Sequence, residues 1–251
     1  MQNPYTGDIG DYGKYIFLSV LAGDDLRLAV VWYLNPYVEK SADGKFTEYL
    51  NDANEKRYRH ASPHIYDCLR KIIRNGDRRV SFVREEGILP ATTIFYETPL
   101  DYMKCSLVQD RKKARGEWLL GALNETRGAE LVFFDPDNGL GVKSHTLHSK
   151  LGAKYIFDSE IRAFWERNQS ILVYQHLTRS GSVDVQARRG LARLRDLSDG
   201  SEGWAISFHS YSVRLYFVVP IKKHASELRG RTRKLECGPC KSVLGVKLHD
   251  L

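Results

Sequence analysis

The chain has no long apolar run. None of its 251 residues lies in a stretch approaching the ~18 consecutive apolar residues of a membrane span, which argues against an integral membrane protein. The opening residues, MQNPYTGDIGDYGKY, lack the charged-then-apolar layout of a secretory leader. Cysteine is scarce: Cys68, Cys105, Cys237 and Cys240 are too few and too scattered for a secreted disulfide scaffold. Cys237-Gly-Pro-Cys240 has redox-pair spacing but falls outside any strand-to-helix junction, and no second pair accompanies it to build a four-cysteine zinc site. His60, His64, His145 and His148 also lack metal-site company, and no internal repeat or low-complexity tract is present. The expectation is a soluble, cytoplasmic protein with no membrane partner and no metal.

What is present is the mix of a globular protein, 42% hydrophobic and 27% charged. Lys plus Arg number 38 against 31 Asp plus Glu, so the net charge of +7 suits a polyanionic partner without demanding one. Strand-length apolar runs alternate with helix-like stretches, the pattern of an α/β protein. LRLAVVWYL (26–34) reads as a strand buried on both faces, followed by a helix over 62–75 with Ser62 as cap, Pro63 at its first position and Gly76 as its stop. RVSFV (79–83) and TTIFYE (92–97) read as strands, 106–125 as a long helix and ELVFFD as a buried strand stopping at Asp135-Pro136. A helix near 159–168, the strand SILVYQH and a helix over 183–197 precede two closing strands, WAISFHS and YSVRLYFVVP, expected as an antiparallel hairpin at or near the sheet edge. The fold class is therefore a single Rossmann-like, three-layer α/β domain with a mostly parallel sheet. Residues 1–220 form the domain, and 221–251 read as a loosely attached basic extension.

Ligand sites of such sheets lie beyond the carboxyl ends of the strands. Three of those ends carry polar groups: Asn35-Pro36-Tyr37, Asp135-Pro136-Asp137-Asn138-Gly139, and Tyr174-Gln175-His176 with Arg179 just after. FDPDNGLG is the most specific of them. Its residues also suit an Asx-turn, but two carboxylates and an amide leaving a buried strand can activate water and orient a reacting group. Near the N-terminus, Gly7, Gly10 and Gly13 precede an apolar helix expected to start near Tyr15, where backbone amides and Lys14 could hold a phosphate. It is not a P-loop, because no strand precedes it and Tyr15 stands where Ser or Thr would hold magnesium.

These residues resemble the ribosomal-RNA adenine-N6 methyltransferases. Their G-N-x-A-D-x-x-K-H is similar to residues 7–15 here, their E-Y-L to Glu48-Tyr49-Leu50, and their catalytic D-P-P-Y falls where Asp135-Pro136-Asp137-Asn138 stands. The resemblance implies a class I methyltransferase fold, with Glu85 and Glu86 ending the second strand where a ribose-binding acid would sit. Two departures matter. Strand one runs into Asn35-Pro36-Tyr37-Val38-Glu39-Lys40 rather than a glycine-rich cofactor loop, and the aromatic of D-P-P-Y is replaced by an amide. Asn35-Pro36 and the segment from His176 to Ser182 are also similar to short motifs of mismatch-type uracil glycosylases.

The leading expectation is a DNA-directed, base-flipping N-glycosylase that needs no cofactor and excises a damaged or modified base, with an antiviral role if that base is a bulky phage-type modification. Asp135 or Asp137 would handle water, Asn35, Tyr37, Asn138 and Gln175 would read or orient the base, and His176 would stabilise the leaving base. Lys14, Tyr12 and Arg179, with the basic extension, would hold the nucleic-acid backbone. The alternatives are an S-adenosylmethionine-dependent adenine-N6 methyltransferase and a catalytically inert nucleic-acid binding module.

Overall fold

The computed structural model describes residues 5–36, 44–102 and 105–250. Helix α1 (Ile9–Ala22) is capped by Asp8, whose carboxylate accepts from the Gly10 amide, and it leads into strand β1 (Leu28–Trp32). The chain continues through α2 (Glu55–Tyr58), α3 (Pro63–Asn75), α4 (Phe82–Glu85), β2 (Ile94–Tyr96), α5 (Val108–Glu125) and β3 (Leu131–Asp135). Two short strands, β4 (Gly139–Leu140) and β5 (Tyr155–Ile156), pair with each other beside the main sheet. Then follow α6 (Asp158–Trp165), β6 (Ser170–His176), α7 (Val183–Leu197), β7 (Trp204–Phe208) and β8 (Arg214–Val219). The chain closes with α8 (Ala225–Glu236), α9 (Pro239–Leu244) and β9 (Lys247–His249).

The seven-stranded sheet has the order β2-β1-β3-β6-β8-β7-β9. β2, β1, β3 and β6 are parallel, whereas β8 is antiparallel to both its neighbours and β9 is antiparallel to β7. Side chains alternate between two cores, as period-two strands require. Leu28, Val30, Trp32, Leu131 and Phe133 face a core shared with α1, α3, α8 and α9. Ala29, Val31, Val132 and Phe134 face one shared with α5, α6 and α7. That double burial is why β1 and β3 are apolar throughout. The fold is thus a single three-layer α/β domain with a mostly parallel mixed sheet. Among the described residues, no helix is long and apolar enough to cross a membrane.

Three local expectations are corrected. Residues 79–83 do not form a strand: Val80 and Val83 are buried three apart, the chain turns there and runs into α4, and Val83 donates to the Val80 carbonyl. A helical spacing outweighs the apparent alternation of RVSFV. Glu85 and Glu86 therefore end no strand. The residue after β2 is Glu97, which pairs with Arg84 at 2.9 Å, and burial raises its carboxyl above the usual range.

The N-terminal glycines are not a loop, since Gly10 and Gly13 lie inside α1, which starts six residues earlier than the apolar run suggests because Asp8 caps it. Nor is the stretch after Pro220 loosely attached. Leu228, Thr232 and Leu235 form a buried stripe at helical spacing, and β9 extends the sheet. Its basic residues are partly committed within the fold: Arg231 donates to the Leu21 and Ala22 carbonyls at 2.7 and 2.8 Å, closing the C-terminal end of α1.

Candidate functional site

β8 is what shapes the site. Because it runs antiparallel to β6, its first residue, Arg214, stands in register with His176, the last residue of β6. The carboxyl ends of β3 and β6, the start of β8 and the N-terminal end of α1 therefore surround one cleft of about 580 Å³. That volume is in the range of small-molecule sites.

Asp8 ties the walls together. One carboxylate oxygen accepts from the Gly10 amide and from the Arg214 guanidinium, both close contacts at 2.9 and 2.8 Å, while the other accepts from the Phe46 amide at 3.3 Å. Arg214 lies across the helix backbone so closely that any Cβ at Gly10 would overlap its guanidinium. A glycine within a helix is thus required by the site rather than by a turn.

Deeper in the cleft, the Lys14 ammonium lies 2.8 Å from Asp11 and 2.9 Å from Asp135, with all three side chains about 95% buried. It also sits 5.3 Å from the Trp32 ring centroid. Burial opposes the charge on Lys14, but the Asp11 and Asp135 carboxylates outweigh it and hold the ammonium well above its usual range. Burial pushes the Asp11 carboxyl upward, against the pull of Lys14.

The segment after β3 turns under close control. Gly139 adopts φ 99°, which only glycine accommodates readily, and a Cβ there would strike Gln175. The Gln175 side chain accepts from the Leu140 amide at 2.9 Å and donates to the carbonyls of Asn138 and His176 at 3.1 and 2.7 Å. The Asn138 amide donates to the Lys154 carbonyl at 2.9 Å. Asp137 and Asn138 are consequently held at the cleft by backbone contacts, both half-buried. On β6, the Tyr174 hydroxyl lies 3.4 Å from His176 Nδ1, and burial pushes the Tyr174 phenol up to about 12. The Tyr174 hydroxyl therefore stays protonated beside the His176 ring.

Of the residues singled out from sequence, Lys14, Asp135, Asp137, Asn138 and His176 line this cleft. The others do not. Tyr12 is fully buried, its hydroxyl donating to the Tyr58 carbonyl at 2.7 Å, so it cannot meet a nucleic-acid backbone. Gln175 is committed to the loop it clamps. Asn35 and Arg179 are not among the lining residues, and Tyr37 lies outside the described residues. Lys14 is engaged with two aspartates rather than presented at the surface.

Tyr174, named with its strand end, also lines the cleft, together with Asp8, Asp11 and Arg214, to which the sequence reading gives no role. Arg214 had a signal, a charged residue opening an otherwise apolar strand. Asp8 had one too, as an N-cap residue before a helical pattern.

No family model and no curated protein matches the chain. It is similar in structure to a crystal structure of protein LPL1258 from Legionella pneumophila str. Philadelphia 1, described with the family model DUF519. The two share 12% sequence identity over 97% of each chain, with a TM-score of 0.52. At that identity the likeness speaks to the α/β fold alone.

Proposed function

We propose that the protein is a nucleic-acid-directed, base-flipping hydrolase that cleaves the bond between a damaged or modified base and its sugar, with DNA as the preferred polymer. The observation that carries this reading is the grouping of Asp135, Asp137 and His176 around one base-sized cleft. Asp135, paired with Lys14, offers a fixed carboxylate that suits stabilising positive charge on the sugar. Asp137 is the more accessible acid and is assigned the water. His176, a ring that can donate a hydrogen bond from the cleft wall, is assigned the departing base. Base extrusion costs only a few kcal/mol, within reach of phosphate and stacking contacts. Lys45, an exposed lysine at the cleft, supplies a cationic group for a polyanion.

The test is incubation with single-stranded and duplex oligonucleotides carrying a panel of modified bases and no cofactor. Alkali-labile abasic sites are expected from the wild type, and Asp137→Ala is expected to lower their rate of formation by at least 100-fold, the scale of general-base loss. No abasic product across a broad panel rejects the reading.

A second reading, S-adenosylmethionine-dependent adenine-N6 methyl transfer, is favoured by the contact between Lys14 and Asp135. The two segments that resemble the methyltransferase motifs, residues 7–15 and 135–138, meet in that contact. Calorimetric titration with S-adenosylmethionine separates the two: micromolar binding supports transfer, and none supports hydrolysis.

A further inference from the structure

Tyr211 lies in the β7–β8 connection with φ 60°, a left-handed backbone that bulky side chains rarely adopt. Its ring is 55% exposed, the highest exposure of any described tyrosine or phenylalanine among the large apolar side chains at the surface. Yet it is held in place. The ring packs on Phe46 with centroids 5.1 Å apart and planes at 33°. Phe46 is fixed in turn, its amide donating to Asp8 and its carbonyl accepting from the Ile9 amide at 3.0 Å. Phe46 lines the cleft, so the exposed face of Tyr211 continues the cleft wall outward. Cations border the pair: the Lys45 ammonium is 5.7 Å from the Phe46 ring centroid, and the exposed Arg57 guanidinium is 5.3 Å from that of Tyr58.

We infer that Phe46 and Tyr211 form a stacking platform for the nucleobase next to the one held in the cleft, with Lys45 and Arg57 taking the adjoining phosphates. An exposed aromatic ring, backed by a second ring and bordered by cations, is an arrangement by which proteins grip unpaired bases without reading their sequence. A paired, stacked base offers no free face to such a ring. The substrate class is therefore single-stranded or locally opened nucleic acid rather than intact duplex. This inference rests on the nucleic-acid reading of the cleft but not on the hydrolytic step.

The test is fluorescence anisotropy with labelled oligo-dT and with a blunt duplex of equal length. Tyr211→Ala is expected to weaken oligo-dT binding about tenfold or more and duplex binding less than twofold, while Tyr211→Phe stays within twofold of wild type on both. Tyr211→Asn, which tolerates the left-handed backbone but has no ring, is expected to match Tyr211→Ala and so separates loss of stacking from loss of the loop conformation. Wild-type affinity for oligo-dT in Tyr211→Ala, equal losses on both probes, or no binding of oligo-dT by the wild type overturns the platform. The two proposals fail separately. Tyr211-dependent binding without base release leaves the platform and removes the hydrolase, whereas undiminished base release by Tyr211→Ala removes only the platform.

Discussion

The Lys14 ammonium and the Asp135 carboxylate, 121 residues apart in the chain, meet at 2.9 Å inside the cleft. This contact joins the first helix to the central strand and sets the charge at the cleft floor. Lys14→Met leaves Asp11 and Asp135 buried together without their cation, and a loss of about 3–5 kcal/mol in urea denaturation is expected. Adding Asp135→Asn should recover part of that loss, giving a clear coupling energy in the double-mutant cycle. Additive effects would mean the pair is not a unit.

Glycine replacement distinguishes the site from ordinary helix. Gly116 lies in α5 with nothing within 4 Å of an added Cβ, so Gly116→Ala should stabilise the protein by roughly 0.5–1 kcal/mol through helix propensity. Gly10→Ala has the same propensity gain but must displace the Arg214 guanidinium from Asp8. It should lower the melting temperature where Gly116→Ala raises it.

Gln175 holds the segment after β3 through two hydrogen bonds, from the Leu140 amide and to the Asn138 carbonyl. Gln175→Leu removes the acceptor of the buried Leu140 amide, at about 1–3 kcal/mol. Amide exchange gives a local readout: the Leu140 N–H should lose protection while amides in the middle of β3 keep theirs.

Acid should destabilise the fold through its buried histidines. Burial lowers His249 and His224 below the ordinary 6.5, although Asp184 pulls His249 the other way and Glu130 does so for His224. His249 bridges Ser207 at 2.7 Å and Asp184 at 2.8 Å, and Ser207 also meets His209 at 2.8 Å. A group whose folded-state value is depressed binds protons more readily in the unfolded chain. Its contribution is present above pH 6.5 and is lost as pH falls through the folded-state value. Urea midpoints measured from pH 8 to pH 5 should fall below pH 6.5, and His249→Gln should flatten part of that decline.

Salt dependence reports on the surface charge. If four or five phosphates are neutralised, affinity for single-stranded DNA should fall by about 0.7 log units per contact for each tenfold rise in salt. Arg231 is engaged with α1, and Arg229 with Asp250 at 2.6 Å, so the C-terminal segment contributes less to that slope than its composition suggests. Neutralising Lys45 should lower the slope by about one contact, and an unchanged slope would place the nucleic acid elsewhere.

Long elements with a single consistent period were legible in the sequence. SILVYQH and residues 183–197 form β6 and α7 at the expected bounds because each is bounded by turn residues and buried on a regular pattern. The stretch over 79–83 was not legible, since five residues alternate and step by three at once. α8 was hidden because Thr232 occupies its apolar stripe, where its hydroxyl serves the Trp204 indole at 3.0 Å. Half the cleft was visible as strand ends, because parallel strands announce their carboxyl termini. The other half, Asp8 with Arg214, has only local signals for each residue alone; their meeting depends on an antiparallel strand delivering its first residue to that edge, a fact of topology.

The pairing of Asp8 with Arg214 spans 206 residues. A chain emerging in order from its N-terminus has the cap of α1 long before the strand that engages it, and α1 must also wait for α8 to cover its flank. Contacts so distant in sequence make folding slow and leave early segments without partners. The cleft is therefore completed late in synthesis, and a nascent chain that has not yet released β8 holds its acids without the arginine that organises them.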